Sequence, residues 1–303
     1  MKRLRTRFAP SPTGLLHVGN AYSALHCQEW ADRHGAELIL RIEDIDHTRC
    51  RDEYVSALLE DLAWLGLTWP EPVLRQSRNL PAYRTTLERL HMLGVIYPCF
   101  CTRQSIAAEI ERMGLAPHAG EHGELYPGTC RSLAPHERQT RMRDGLFAWR
   151  LDMAHAMSVA ESMNGEPLLW RDGDGRHHPV QLAHDTVVGR KDIGISYHLA
   201  VVVDDASQGV THVIRGEDLR DSTPLHRLLQ ALLDLPSPVY IHHPLLLDIR
   251  GERLAKRNNS TTLASLREAG VSPSRLRRFL LEESQGVWPF ADEAATFAGL
   301  AGD

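Results

Sequence analysis

A chain of 303 residues with 43% hydrophobic and 24% charged side chains is long enough for two packed domains of roughly 100–200 residues each and has an ordinary globular make-up. A formal charge of −5 excludes a protein coated in basic residues but leaves room for a local basic face that holds RNA. No apolar stretch approaches the roughly 18 residues of a membrane helix, and the first residues lack the apolar core of a secretory signal, so a cytoplasmic protein with no membrane partner is expected.

The opening reads strand, loop, helix, strand. Leu4 to Phe8 is a short strand, and Pro10-Ser11-Pro12-Thr13-Gly14 must be irregular. Asn20 to His34 carries Ala21, Ala24, Leu25 and Ala31 at helical spacing and stops at Gly35. Leu38 to Ile42 is a second strand, so this unit starts a parallel sheet. Asp52 to Leu65 is an amphipathic helix with Gly66 as its stop. From about Pro98 to Pro179 the sequence turns rich in Gly, Pro, His and short charged runs, which suggests an inserted module. Leu199 to Val203 then reads as a strand buried on both faces, and Val210 to Ile214 as another. Thr223-Pro224 opens a helix whose apolar face is Leu225, Leu228, Leu229 and Leu232, and Tyr240 to Leu247 is a further strand. The tail reads as helical, with Ser272-Pro273 as a cap and Leu276, Phe279 and Leu280 as a core face. The resulting organisation is an α/β fold with segments 1–97, 98–180, 181–236 and 237–303 as first half of the sheet domain, insertion, second half and C-terminal region.

A parallel sheet binds ligands at the carboxyl ends of its strands, where a following helix offers unpaired N–H groups to phosphate. Pro10 to Asn20 is placed for that: Gly19 lets a purine or phosphate approach, and His17 can donate to a phosphate oxygen. The loop Gly251 to Asn258 holds Lys256, one of only three lysines beside Lys2 and Lys191, and a cation there would stabilise a transferring phosphate. Taken singly, each element is more often an ordinary loop. Of five cysteines, Cys99, Cys101 and Cys130 cluster as a thiolate site in a reducing compartment. Tetrahedral zinc needs a fourth ligand, for which His118 or His122 would be the ordinary choice.

Together these residues resemble the class I aminoacyl-tRNA synthetases of the glutamyl branch, with their Rossmann-type catalytic fold. Arg7 to Gly14 followed by His17-Val18-Gly19-Asn20 is similar to the glutamyl form of the HIGH signature. Leu40 to Asp46, Ser196-Tyr197-His198-Leu199-Ala200 through Asp205, and Thr211 to Leu219 resemble further blocks in the same order. The resemblance implies that Arg7, Ser11, Glu43, Tyr197 and Arg215 bind L-glutamate. Glu43 would meet its ammonium, and the arginines and Tyr197 its carboxylates, a set that matches a doubly anionic amino acid. His17, Gly19, Asn20 and Lys256 would bind ATP, with His17 and Lys256 stabilising the transferring phosphorus, and Mg2+ accompanying the phosphates. It also makes Tyr126 the fourth ligand of a structural Zn2+ beside Cys99, Cys101 and Cys130.

Two departures qualify the match. The HIGH-type block ends in Asn20, and the KMSKS-type loop reads Arg253-Leu254-Ala255-Lys256-Arg257, keeping one lysine but losing a hydroxyl at Ala255. A chain ending at Asp303 leaves little room for an anticodon-reading domain, so the expectation is the truncated glutamyl-Q tRNA(Asp) synthetase branch. Such an enzyme would activate glutamate without tRNA and attach it to queuosine at the wobble position of tRNA(Asp), working as a monomer. Arg275, Arg277 and Arg278 are candidate backbone contacts. The alternatives are a minimal glutamyl-tRNA synthetase charging tRNA(Glu), a catalytically weak RNA-binding paralogue, or an unrelated nucleotidyltransferase.

Overall fold

The structure is a computed structural model that describes residues 3–112, 126–252, 254 and 261–290. In chain order its regular elements are β1 (Arg5–Phe8), α1 (Val18–His34), β2 (Glu37–Ile42), α2 (Asp52–Trp64), β3 (Leu74–Arg75), α3 (Leu80–Met92), β4 (Ile96–Cys99), α4 (Arg103–Arg112), α5 (Pro135–Asp144), β5 (Ala148–Leu151), α6 (Met153–Asn164), β6 (Leu169–Asp172), β7 (His177–Pro179), β8 (Val187–Gly189), α7 (Tyr197–Ser207), β9 (His212–Gly216), α8 (Thr223–Leu232), β10 (Val239–His243), β11 (Leu247–Asp248), α9 (Leu263–Glu268), α10 (Pro273–Arg278) and β12 (Val287–Trp288). The chain divides into two compact units: residues 1–78, 210–220 and 238–303 form the first, and 79–209 with 221–237 the second.

In the first unit β1 pairs parallel with β2, from Arg5 opposite Glu37 to Phe8 opposite Leu40. β2 pairs parallel with β3, and β9 parallel with β10. β9 lies beside β1, where the Thr211 N–H donates to the Arg5 carbonyl at 2.9 Å. Helix α1 is the crossover between β1 and β2, and it ends at Gly35, whose φ of 58° is the left-handed conformation a helix stop favours. The core of this unit joins Leu16, Val18 and Leu25 to Leu58 and Leu62 of α2, Leu266 of α9, Leu276 and Trp288. Burial of this apolar surface is the main stabilising term, at about 1.5–3 kcal/mol per large side chain.

The second unit builds an antiparallel sheet in the order β4-β5-β8 and a hairpin from β6 and β7. Here one sequence expectation fails. Leu199 to Val203 is not a strand but the first half of α7, capped by the Ser196 side chain, which accepts from the Leu199 N–H. A short unbroken apolar run fits a buried strand or a buried helix equally well. Leu199, Ala200, Val201 and Val202 are all buried, and burial around most of the helix circumference removes the alternation that would have marked it. The buried Asp204 further along α7 accepts from the Tyr83 hydroxyl and from Asn79 Nδ2, a polar satisfaction that anchors α7 to α3. Tyr240 to Leu247 is also interrupted, splitting into β10 and the two-residue β11. Among the described residues no helix is long and apolar enough to cross a membrane.

Candidate functional site

The segment after β1 is held in a fixed loop. The Pro10 carbonyl accepts from the Glu43 N–H at 3.0 Å, and the Pro12 carbonyl accepts from the Arg51 N–H at 3.2 Å, so this loop is tied to the carboxyl end of β2. Ser11 is exposed on it. His17 is the N-cap of α1: its Nδ1 accepts from the Gly19 N–H at 3.1 Å, and its own N–H donates to Asn20 Oδ1 at 3.1 Å. This reciprocal pair is a capping box built with His and Asn instead of Ser and Glu. Accepting at Nδ1 leaves Nε2 as the donor nitrogen of a neutral ring, the tautomer needed to meet a phosphate oxygen. A Cβ on Gly19 would come within 3.0 Å of that ring, so glycine preserves the cap.

A segment late in the chain is joined to the same helix start: the Val18 N–H donates to the Thr261 carbonyl, and the Leu263 N–H to the Leu16 carbonyl. Lys256, together with Arg253, Ala255, Arg257 and Asn258, lies outside the described residues.

Three charged side chains expected to hold the amino acid sit at or near the carboxyl ends of three neighbouring strands. Arg7 in β1, Glu43 just after β2 and Arg215 in β9 are 5%, 7% and 4% exposed. Charges are buried so deeply only when paired or when a ligand completes them. Arg7 NH1 donates to the Ile214 carbonyl at 3.3 Å. Arg215 Nε donates to His242 Nε2 at 3.3 Å, with its guanidinium 5.1 Å from the Tyr240 ring centroid. Sequence reasoning missed Arg41. It is fully buried and donates from NH2 to Glu43 Oε1 at 3.1 Å, fixing that carboxylate from beneath. Alternation along Leu40-Arg41-Ile42-Glu43 puts both residues on one face of the strand, the signal that was available.

Tyr197 belongs to the second unit, at the first turn of α7. Its ring meets those of His198 and His226 edge-on, at 5.4 and 5.9 Å between centroids, and the two imidazoles hydrogen-bond at 3.1 Å.

The thiol cluster is also in the second unit. The Sγ atoms of Cys99, Cys101 and Cys130 lie within 4.8 Å of one another. Tyr126 OH is 3.5 Å from Cys99 Sγ and 3.7 Å from Cys101 Sγ, and Cys101 and Cys130 Sγ are 3.4 Å apart. A tetrahedral ion with Zn–S bonds of about 2.3 Å spaces its ligands about 3.5–3.8 Å apart, so the four atoms fit such a site. Hydrogen bonds from Cys130 and Tyr126, with help from Arg150, hold the Cys99 thiol down to about 4, whereas the same bond raises Cys130. The Arg150 guanidinium stacks 3.8 Å from the Tyr126 ring centroid. His118 and His122 lie outside the described residues.

On α10, Arg275 and Arg278 both pair with Glu283 in exposed ion pairs, and Arg277 donates to the Leu65 carbonyl.

Comparison with known proteins gives one consistent picture. Residues 3–291 match the family described as "tRNA synthetases class I (E and Q), catalytic domain". The chain is 43% identical over 279 residues to a glutamyl-Q tRNA(Asp) synthetase of Rhodobacter capsulatus, covering 91% of this chain and 99% of that protein. A protein of the same name from Symbiobacterium thermophilum is 44% identical, with 88% and 82% covered. A glutamate–tRNA ligase of Elizabethkingia meningosepticum, solved in complex with its amino acid, superposes with a TM-score of 0.73 at 27% identity; the match covers 92% of this chain and 60% of that one.

Proposed function

The chain belongs to the class I tRNA synthetases of the E and Q type, and from that premise we propose that it uses ATP to join L-glutamate to AMP and then transfers the glutamyl group to the queuosine base of tRNA(Asp). The observation that carries this reading is the buried set Arg7, Glu43 and Arg215 at the strand ends, two cations and one anion for an amino acid with two carboxylates and one ammonium. The close likeness to proteins named glutamyl-Q tRNA(Asp) synthetase supports the choice of acceptor.

In the first step an α-carboxylate oxygen of glutamate attacks the α-phosphorus of ATP, and the bond to the β-phosphate oxygen breaks to release pyrophosphate. No tRNA is needed for it. Glu43, steadied by Arg41, receives the ammonium; Arg7, Arg215, Ser11 and Tyr197 orient the carboxylates. His17 donates from Nε2 to the phosphate, the Gly19 N–H keeps that ring in place while Asn20 holds the His17 backbone, and Lys256 supplies a cation as charge develops. Mg2+ accompanies the ATP phosphates. In the second step a hydroxyl of the queuosine cyclopentenediol attacks the glutamyl carbonyl carbon, AMP leaves, and the hydroxyl proton goes to solvent or to the departing phosphate.

Cys99, Cys101, Cys130 and Tyr126 would hold Zn2+. With every position filled by protein, the ion would brace the turn after β4 and take no part in the chemistry.

The test is transfer of labelled glutamate to tRNA(Asp) from cells able or unable to make queuosine, with the label located after nuclease digestion. Label on the modified wobble nucleoside, and only in the queuosine-containing RNA, is expected. Label on the terminal adenosine of tRNA(Glu) would instead make the chain a minimal glutamyl-tRNA synthetase.

A further inference from the structure

We propose that the second unit carries a stacking pocket for an unpaired base of the RNA substrate, formed by α3, β5 and the loop that leads into α7. The proposal rests on the reading that an RNA loop is the acceptor. It adds a binding site distinct from the groups that hold glutamate and ATP.

A cavity of about 290 Å3 opens there, lined by Arg84 and Leu87 of α3, by Phe147 and Trp149, and by Arg190 and Lys191. That volume is near the lower edge of the roughly 300–1,000 Å3 typical of small-ligand clefts, room for one heterocycle and its sugar. Three of the lining residues are cations and none is a carboxylate, against a net charge of −5 for the chain. Asp192, just outside, closes a fork with Arg190 at 2.6 Å, while Arg84 is exposed on α3. An apolar floor with aromatic walls and the exposed Arg84 at its rim is the combination that takes a base by its π-face and its phosphate by charge.

The rings are held, not loose. Phe147 and Trp149 meet edge to face with centroids 5.1 Å apart. A Cβ on Gly189 would come within 3.0 Å of Trp149 Cβ and Cδ1, so the backbone of β8 packs directly on that side chain. Lys191 Nζ donates to the Phe100 and Cys101 carbonyls at 2.8 and 2.9 Å, pinning the loop wall to the thiol cluster. A preorganised wall lowers the ordering cost of binding.

An oligonucleotide fits the surroundings better than a free nucleotide. The aromatic surface continues past the cavity: His91 lies 4.9 Å from Trp149, Phe100 lies 6.0 Å from Phe147, and the Arg141 guanidinium lies 5.9 Å from Phe100. Such a run offers successive stacking faces along a strand.

The test measures binding of a fluorescein-labelled tRNA(Asp) anticodon stem-loop by anisotropy at several salt concentrations, using the full chain and its Arg84→Ala, Trp149→Ala and Trp149→Phe variants. Glutamate-dependent pyrophosphate exchange without RNA is followed in parallel. Trp149→Ala should weaken RNA binding roughly 5- to 100-fold, with Trp149→Phe restoring most of it. Arg84→Ala should weaken binding and lower the salt slope by about one, all with unchanged exchange. Because Arg84 is exposed, its variant keeps the fold even if Trp149→Ala does not. Wild-type affinity in both Arg84→Ala and Trp149→Ala, or no binding of this RNA by the wild type, overturns the pocket. Pocket-dependent binding without any glutamylation of queuosine would instead sink the proposed acceptor and leave the pocket standing.

Discussion

Glu43 carries a structural partner and, in the proposed function, the selective charge. Its Oε1 accepts from Arg41, which is completely buried, so truncating Glu43 to alanine would leave a guanidinium in the core without that partner. Glu43→Gln is the better probe because it keeps an acceptor for Arg41 while removing the charge offered to the substrate ammonium. A charge-assisted hydrogen bond contributes about 1.5–3 kcal/mol, so kcat/KM for glutamate should fall about 10- to 100-fold, read by pyrophosphate exchange. Thermal unfolding of the variant should stay close to that of the parent.

A second residue-scale expectation concerns His26 and His243, which stack with centroids 4.6 Å apart beside Tyr22. Burial, the neighbouring His243 and Arg33 lower His26 to about 4. Burial also lowers His243, partly opposed by the Pro244 carbonyl and by Asp218 and Glu217. A folded-state value below the unfolded one means that the unfolded chain takes up protons first as pH falls. The stability present above about 6.5 should therefore be lost progressively as pH drops towards about 4, checked as a falling urea midpoint between pH 7 and pH 5. His26→Phe should flatten that slope, and an unchanged slope would contradict the assignment.

At the scale of elements, the proposed zinc site bears on the thiol turn after β4. If Cys99, Cys101, Tyr126 and Cys130 hold zinc, Cys101→Ser should lose it and lower the melting temperature, by elemental analysis and thermal unfolding of the same preparations. Wild-type protein without zinc would contradict that ligand set. Elements also differ in how plainly they could be read. The helix over α1 was legible because Ala21, Ala24, Leu25 and Ala31 recur at helical spacing and Gly35 ends it. His17 as its cap was not, since histidine rarely fills that position and the partner is Asn20. Helix α7 was misread as a strand because its first turns are buried nearly all round. The three arginines of α10 read as a basic face, but a sequence does not show their partners, Glu283 for Arg275 and Arg278 and the Leu65 carbonyl for Arg277.

For the whole molecule, the parallel strands of the first unit were readable as alternating apolar runs and helices, and they carry Arg7, Glu43 and Arg215 to one end of the sheet. What was not readable is long-range pairing: Arg41 beneath Glu43 involves neighbours in sequence, but the Arg7 bond to Ile214 spans most of the chain. The division into compact units likewise follows contacts between distant segments, with residues 221–237 joining 79–209. Such contacts depend on how the chain returns on itself, which local composition does not encode.

The central claim is that the buried guanidinium and carboxylate set selects glutamate for joining to AMP. Its most direct measurement is pyrophosphate exchange by the purified chain, without tRNA, across glutamate, glutamine, aspartate and the remaining amino acids. Exchange with glutamate far above every other amino acid is the predicted result. Exchange that favours a different amino acid, or that needs tRNA before it starts, would contradict the account.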